Sequence, residues 1–318
     1  MLPPLAIAAG IDLYLTLLFI SAAPTVGLWA LPLPGALGDL DSPGILIMVG
    51  TFFVLEFAVE RFPPAALVWN AFHAIIRPLS GILLALLLLD GQPLAVTLPG
   101  SILAGALAFF AHGVRSGGAV VRWLGTTSPP SVLLVSLAED VVALGLVALA
   151  LGAPLWASGG AVALLVTVAR PAPSLLRAFR FASQLAIGRV FQTLHQRRWR
   201  RAEELPEWVR ASLEDDTLAP GGALRGSRVG TYRLDGAPRF AIGWVVVREG
   251  GPMFVYRRRW SSAEVDLSPL HTTSIFEGDF FRRVDFDADD RGTLTCLFFG
   301  LSGPSAESLR AEFLFIPA

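Results

Sequence analysis

No lysine occurs in this chain: all 25 basic residues among its 318 are arginine. That absence removes Schiff-base, pyridoxal-lysine and P-loop-lysine chemistry at once. Cysteine is nearly as scarce. With Cys296 as the single thiol, the chain cannot close an internal disulfide or build a multi-cysteine zinc or iron–sulfur site. Four histidines leave little for a His-rich metal centre, and no cofactor is expected. Charge of either sign is thin. Charged residues make up 16% of the chain and hydrophobic ones 53%, whereas roughly a quarter of an average soluble domain is charged. A mean hydropathy of +0.60 points to lipid.

The charges that remain are segregated along the chain, as a membrane topology requires. A helix needs about 20 apolar residues to span the hydrocarbon core. Candidate spans are Leu5 to Leu31, Gly44 to Phe62, Ala65 to Leu89, Leu94 to His112, Ser131 to Gly152 and Leu155 to Ala169. The first is read as a span rather than a signal peptide, because no basic residue precedes it and Asp12 interrupts it. The third contains Asn70, His73, Arg77 and Pro78, which leaves a re-entrant or interfacial half open as its alternative. Arginine sets the orientation. Arg61, then Arg115 and Arg122, and then a basic run after the last span put alternate connections in the cytoplasm. The other connections carry Asp39, Asp41 and Asp90 but no arginine. Both termini are then cytoplasmic, in a bacterial plasma membrane.

Eight arginines and no acid lie between Arg170 and Arg201, interleaved with apolar residues at roughly helical spacing. This predicts a basic amphipathic helix over 171–204. It either lies on anionic inner-leaflet lipid or is a plain helical linker whose charge enforces topology. Nucleic acid is set aside as a partner, since membrane tethering already accounts for the charge. Residues 205–226, rich in Pro, Gly and acid, read as a linker. Over 227–318, alternation and β-branched content predict strands at Phe240 to Val247, Met253 to Trp260, Ser274 to Phe286, Thr293 to Phe299 and Leu309 to Ile316. Asp285 to Gly292 is read as a hairpin turn, not a calcium loop, because Asp290 and Cys296 stand where such a loop needs Gly and Glu. The expected fold is an α-helical multi-pass membrane domain over 1–170, with about six transmembrane helices, followed by a small soluble all-β domain, a barrel or sandwich.

Ionisable groups within apolar spans cost roughly 2.5 to 3.5 kcal/mol each on insertion scales. Each is therefore a candidate for function. They are Asp12 in the first span, Glu56 and Glu60 in the second, His73 and Arg77 in the third, His112 closing the fourth with Arg115 just beyond, and Glu139 and Asp140 in the fifth. Glu56 and Glu60 share a helix face, as do His73 and Arg77. The order is mirrored in the second half, where His and Arg precede the acids. That mirroring suggests an inverted repeat of two three-helix halves meeting at interrupted helices. The chemistry such a set offers is a polar path for a proton, small ion or solute; the competing reading is a set of buried ion pairs fixing helix register. No catalytic residue is assigned. A homo-oligomer is left open.

Several stretches carry a resemblance: Gly10-Ile11-Asp12-Leu13-Tyr14-Leu15-Thr16, Glu56-Phe57-x-x-Glu60, Asn70-x-x-His73-x-x-x-Arg77-Pro78, Ala111-His112-Gly113, Thr127-Ser128-Pro129 and Ser136-Leu137-Ala138-Glu139-Asp140. Together they resemble a bacterial family of integral membrane proteins catalogued as domain of unknown function 4126, over about the first 170 residues. The resemblance implies a membrane domain and no established activity. It also implies that Asn is accepted where this chain has Asp12, which ranks Asp12 below Glu139. Three functions are carried forward: an ion- or proton-coupled transporter or channel first, an inner-leaflet enzyme on a lipid or lipid-linked substrate second, and a receptor or scaffold third.

Overall fold

Asp12 divides the first apolar run. Its backbone is extended (φ −142°, ψ 103°) between α1, Leu2–Ile11, and α2, Leu13–Thr25. Its carboxylate accepts the Leu15 amide at 2.8 Å, so the acid caps a new helix instead of continuing the old one. The expected single span from Leu5 to Leu31 is thus two short helices. The structure is a computed structural model that describes residues 1–25, 27, 33–124, 129–191, 199–213, 224–248, 251–258, 261–267, 271–278, 281–287, 293–299 and 303–313. Thr127-Ser128, the tip of the Asp285-to-Gly292 turn and the end of the strand expected at Leu309 to Ile316 lie outside the described residues. The chain divides into two units, Met1–Arg180 and Phe181–Ala318.

In the first unit, a 3₁₀ turn at Gly35–Leu40 is followed by α3, Pro43–Val59, α4, Pro63–Leu88, α5, Leu94–Leu124, α6, Pro129–Gly152, α7, Pro154–Ala169, and α8, Ala172–Phe191, which runs on past the unit boundary. Proline opens α3, α4 and α7, where its missing N–H costs nothing. Ser42 caps α3 through the Ile45 amide at 3.3 Å. Three stretches, Pro64–Leu88, Leu94–Leu124 and Leu133–Gly152, are long and apolar enough to cross a membrane; α7 with α8, bent by 78°, would make a fourth. Among the described residues three or four helices thus have the length of a full span, and the expected six are not confirmed; α1, α2 and α3 are shorter apolar helices. The third span is one continuous 26-residue helix that accommodates Pro78, not a re-entrant half. The fourth does not end at His112. It continues to Leu124, so Arg115 lies inside a helix and not in a connection.

Many small residues face inward and many large ones outward. Ala8, Ala9, Ala104, Ala108, Ala143, Ala150 and Ala157 are fully buried, whereas Ile47, Val54, Ile75, Leu134, Val141, Leu155 and Val166 are exposed. Water would drive those side chains inside. Lipid does not, and small residues at helix contacts let backbones approach. One close approach is at Gly10 of α1, where an added Cβ would lie 2.4 Å from the Ala108 carbonyl of α5.

The second unit is built on an eight-stranded antiparallel sheet. Its strands are β1, Arg200–Arg201, β2, Arg225–Arg233, β3, Ile242–Arg248, β4, Gly251–Arg257, β5, Ser262–Asp266, β6, His271–Glu277, β7, Phe281–Asp287, and β8, Thr293–Phe299. The order is β5-β4-β3-β2-β8-β7-β6, with β1 pairing β2 as well. The β5 and β6 ends do not pair among the described residues, so the sheet is open and the expected barrel or sandwich is not formed. Helices cover its two faces instead. Leu309 and Phe313 of α10, Ala306–Phe313, join Val245, Phe254, Phe286, Cys296 and Phe298. On the opposite face, Val209 and Leu213 of α9, Glu207–Leu213, join Trp244, Val246, Met253 and Val255.

Four local expectations change accordingly. The strand placed at Leu309 to Ile316 is α10, capped by Ser305 through the Ser308 amide at 3.1 Å. The strand placed at Ser274 to Phe286 is the hairpin of β6 and β7. The linker contains α9 and the start of β2. In α8, Ala178, Phe179, Phe181, Ala182, Leu185 and Ala186 are all buried, so part of the apolar side expected to face lipid is packed within the protein.

Burial, and then the Asp285 carboxylate, push the Cys296 thiol up to about 12. The reactive thiolate is thereby suppressed near neutral pH. A maleimide is expected to label the native protein hardly at all and the urea-unfolded protein fully. Labelling of native protein at the rate of a free thiol would contradict the packing around β8.

Candidate functional site

The nine candidate residues come from five places in the chain. Asp12 lies in the α1–α2 break. Glu56 is on α3, and Glu60 is its C-terminal cap. His73 and Arg77 are on α4, His112 and Arg115 on α5, and Glu139 and Asp140 on α6. Arg77 is fully buried. Its Nη1 donates to the Gly10 carbonyl at 2.6 Å and to the Ile11 carbonyl. Those carbonyls end α1 and have no partner within the helix, and a guanidinium there also meets the negative end of the helix dipole. Nη2 pairs with Glu56. One side chain therefore closes the broken helix and neutralises an acid.

Arg115 is the hub. Its Nη1 reaches Glu56 at 3.3 Å and Glu60 at 2.8 Å, and its Nε reaches Glu139 at 3.0 Å. Its Nη2 adds a second bond to Glu60 at 3.0 Å. Glu139 also meets Arg122 at 3.4 Å. Only a planar guanidinium, with donors fanned over three nitrogens, can serve three carboxylates in this way. The result is an alternating chain of charge from Arg77 through Glu56, Arg115 and Glu139 to Arg122, binding α3, α4, α5 and α6. Side-chain exposure rises along it, from 0% at Arg77 and 3% at Glu56 to 22% at Glu60 and Glu139. The network is closed at the helix break and open toward the α3–α4 and α5–α6 connections. The second oxygen of Glu56 is buried without a hydrogen-bond partner.

Both histidines are held by neighbours. His73 Nδ1 bonds the Trp69 carbonyl at 2.9 Å, so Nδ1–H is the donor and the Tyr14 hydroxyl donates to Nε2 at 3.0 Å. Trp69 stacks on the imidazole at 4.5 Å between centroids. His112 Nε2–H donates to the Asn70 carbonyl at 3.0 Å, and Phe179 meets its ring edge-on. The Ser116 hydroxyl lies 3.2 Å from the Asn70 Oδ1 and 3.4 Å from the His112 Nδ1. Among these partners, Asn70, Ser116, Arg122, Trp69 and Tyr14 were not in the sequence-derived set. Spacing could have found two of them. Arg122 is seven residues after Arg115 and Asn70 seven before Arg77, two helical turns in each case and hence one face.

Asp140 is half-buried beside Glu139, within electrostatic range of Asp12, Arg115 and Glu60. The structure thus brings all nine residues into one cluster. It contains five acids and, counting Arg122, three arginines. No group of three or more His, Cys, Asp or Glu side chains among the described residues has the arrangement of a metal site.

The family profile described as a domain of unknown function, DUF4126, matches residues 4–173. No curated protein and no solved structure matches the chain. The matched residues are slightly more than half of the 318 and contain the whole charged cluster, with Asp12 near one end and Asp140 toward the other; the chain belongs to the DUF4126 family.

Proposed function

We propose that the helical unit is a proton- or ion-coupled transporter or channel whose path runs along this cluster. One observation carries the reading: five acids and three arginines converge beside a helix broken in mid-run, inside a bundle whose outside is apolar. Packing alone does not call for such a set. A buried ion pair is often no more stabilising than apolar residues of the same volume, and discontinuous helices with exposed carbonyl ends are how transporters build ion sites. In this reading α1 with α2, α3, α4, α5, α6 and α7 are the six crossing segments. Arg61, Arg122 and the arginines after α7 mark the cytoplasmic side of a bacterial plasma membrane. Both termini and the β-rich unit lie in the cytoplasm, with Arg170 to Arg201 near anionic lipid. The mirrored charges of the two halves meet at Arg115 and Glu56.

The lipid-enzyme reading has less support, because Arg77 and Arg115, the groups that would bind a phosphate, are already occupied by glutamates. A static scaffold is favoured by one feature, the engagement of both terminal nitrogens of Arg77 and of both histidines. Flux separates it from transport. Protein in liposomes holding a pH dye, under a potassium diffusion potential, is expected to pass protons or an alkali cation, with flux in Glu139→Gln falling toward that of empty vesicles. Absence of any flux in the wild type sinks transport and leaves the scaffold, whereas equal flux above that of empty vesicles in both proteins keeps transport and removes Glu139 from its path.

A further inference from the structure

Arg77 and Glu56 make one bond to each other where their shapes allow two. A guanidinium beside a carboxylate can form a fork of two parallel N–H···O bonds. Here Arg77 Nη2 pairs with Glu56 Oε1, Nη1 is spent on the Gly10 and Ile11 carbonyls, and Arg115 Nη1 comes to the same Glu56 Oε1 at 3.3 Å. Arg77 Nε and Glu56 Oε2 are both buried, and neither has a hydrogen-bond partner among the described residues. Nε shares the carbon Cζ with the bonded Nη2, and Oε2 shares the carbon Cδ with the bonded Oε1. The bare donor and the bare acceptor therefore flank one and the same contact. A buried polar atom left unpaired costs about 1–3 kcal/mol, and more on a charged group. Two such atoms in one ion pair call for a partner common to both.

The two atoms select the chemistry of that partner, which must accept from the Nε–H and donate to Oε2. An alkali cation cannot accept, and at Glu56 it would meet the guanidiniums of Arg77 and Arg115. A halide or a fully ionised phosphate cannot donate to a carboxylate. A hydroxyl group does both, and buried water settles in polar sites where it finds roughly 2–4 such partners. We propose that Arg77 Nε and Glu56 Oε2 form a binding site for one hydroxyl group, filled by a water molecule that accepts from the guanidinium and donates to the carboxylate. The site stands whether or not the protein transports anything. One consequence does rest on the transport reading: the closed end of the network, at the helix break, holds water and gives an alkali cation nothing to bind. Of the two cargoes proposed above, only the proton is compatible with it.

A structure of the full chain in lipid, determined finely enough to show ordered water, tests the site without any substitution. The expected result is one compact density peak about 2.7–3.2 Å from both Arg77 Nε and Glu56 Oε2. Direct bonding of Nε to Oε2, which would close the fork, or no density bridging the two atoms, overturns the site; elongated density overturns water as its occupant. Liposomes loaded with a pH dye, or with rubidium as the alkali cation, keep the site and the transport reading apart. Proton flux without rubidium flux is the expected result for the wild type. The peak present with neither flux retains the site and removes transport. Rubidium flux that is lost in a Glu56→Gln variant melting with the wild type would make Glu56 a cation ligand and overturn the hydroxyl site.

Discussion

Arg115→Met is expected to prevent stable folding of the helical unit, or to lower its melting temperature further than any other single change in the cluster. Methionine fills much of the space but leaves Glu56, Glu60 and Glu139 without the group that now lies 2.8–3.3 Å from them. Removing one partner of a buried ion pair costs about 3–5 kcal/mol, because the other charge stays behind unpaired. Glu56 keeps its pair with Arg77 and Glu139 its contact with Arg122, so each loses one of two partners. Glu60 loses the partner described for it, and at 22% exposed its penalty is reduced by solvent screening. Even a fraction of that cost is large against the stability of a whole domain, about 5–15 kcal/mol. Arg115→Lys should recover only part of the loss, since one ammonium cannot fan out to three carboxylates. Adding Glu60→Gln to the Met variant should recover more, because the charge left without its partner is what destabilises it. Thermal melting of the four proteins in one detergent decides the matter. If Arg115→Met melts with the wild type, the three glutamates are not charged partners of Arg115 and the network does not exist as described.

Much of this arrangement was legible from residue types. Apolar length, the absence of arginine in alternate connections and the spacing of Glu56 with Glu60 and His73 with Arg77 identified both the membrane unit and its polar residues. They identified no contacts. The hub role of Arg115 depends on α5 continuing past His112, and nothing in an apolar-run count distinguishes a helix end from a helix interior that turns polar because it faces other charged helices. Hydropathy likewise could not show that Asp12 interrupts the helix rather than being buried within it; that follows from its carboxylate capping Leu15 while Arg77 takes over the Gly10 and Ile11 carbonyls. In the second unit the alternation of β3, β4 and β8 was readable because each buries alternate residues on two different faces. Helix α10 was not. Its Leu309, Phe313 and the apolar tail after them mimic strand alternation, and only the four-residue spacing of the two anchors on one sheet face distinguishes them. An open sheet in place of a barrel depends on whether its two edges meet, which no local pattern encodes.

Gly10→Ala is expected to impair the site from outside it. The new Cβ would sit 2.4 Å from the Ala108 carbonyl, 2.7 Å from the Ala111 Cβ and 2.8 Å from the Ala108 Cα. All three are backbone or Cβ atoms of α5, and none is the tip of a side chain that could swing aside. α1 must therefore retreat by on the order of an ångström, and overpacking of this kind costs about 1–3 kcal/mol or more. The retreat reaches the chemistry because the Gly10 carbonyl is itself an acceptor for Arg77 at 2.6 Å, and Asp12 follows two residues later. Stability and proton flux should fall together. Gly160→Ala supplies the control: nothing lies within 4 Å of a Cβ at that position, and the gain in helix propensity is roughly 0.5–1 kcal/mol. That variant should melt at or slightly above the wild type and keep its flux. If the two alanine variants behave alike, α1 is not pressed against α5, and the position of the helix break, and of Asp12 with it, is not set by that contact. If Gly10→Ala loses flux at unchanged melting temperature, the contact sets the geometry of the break while contributing little to folding, which is the behaviour of a joint between two half-helices that must move.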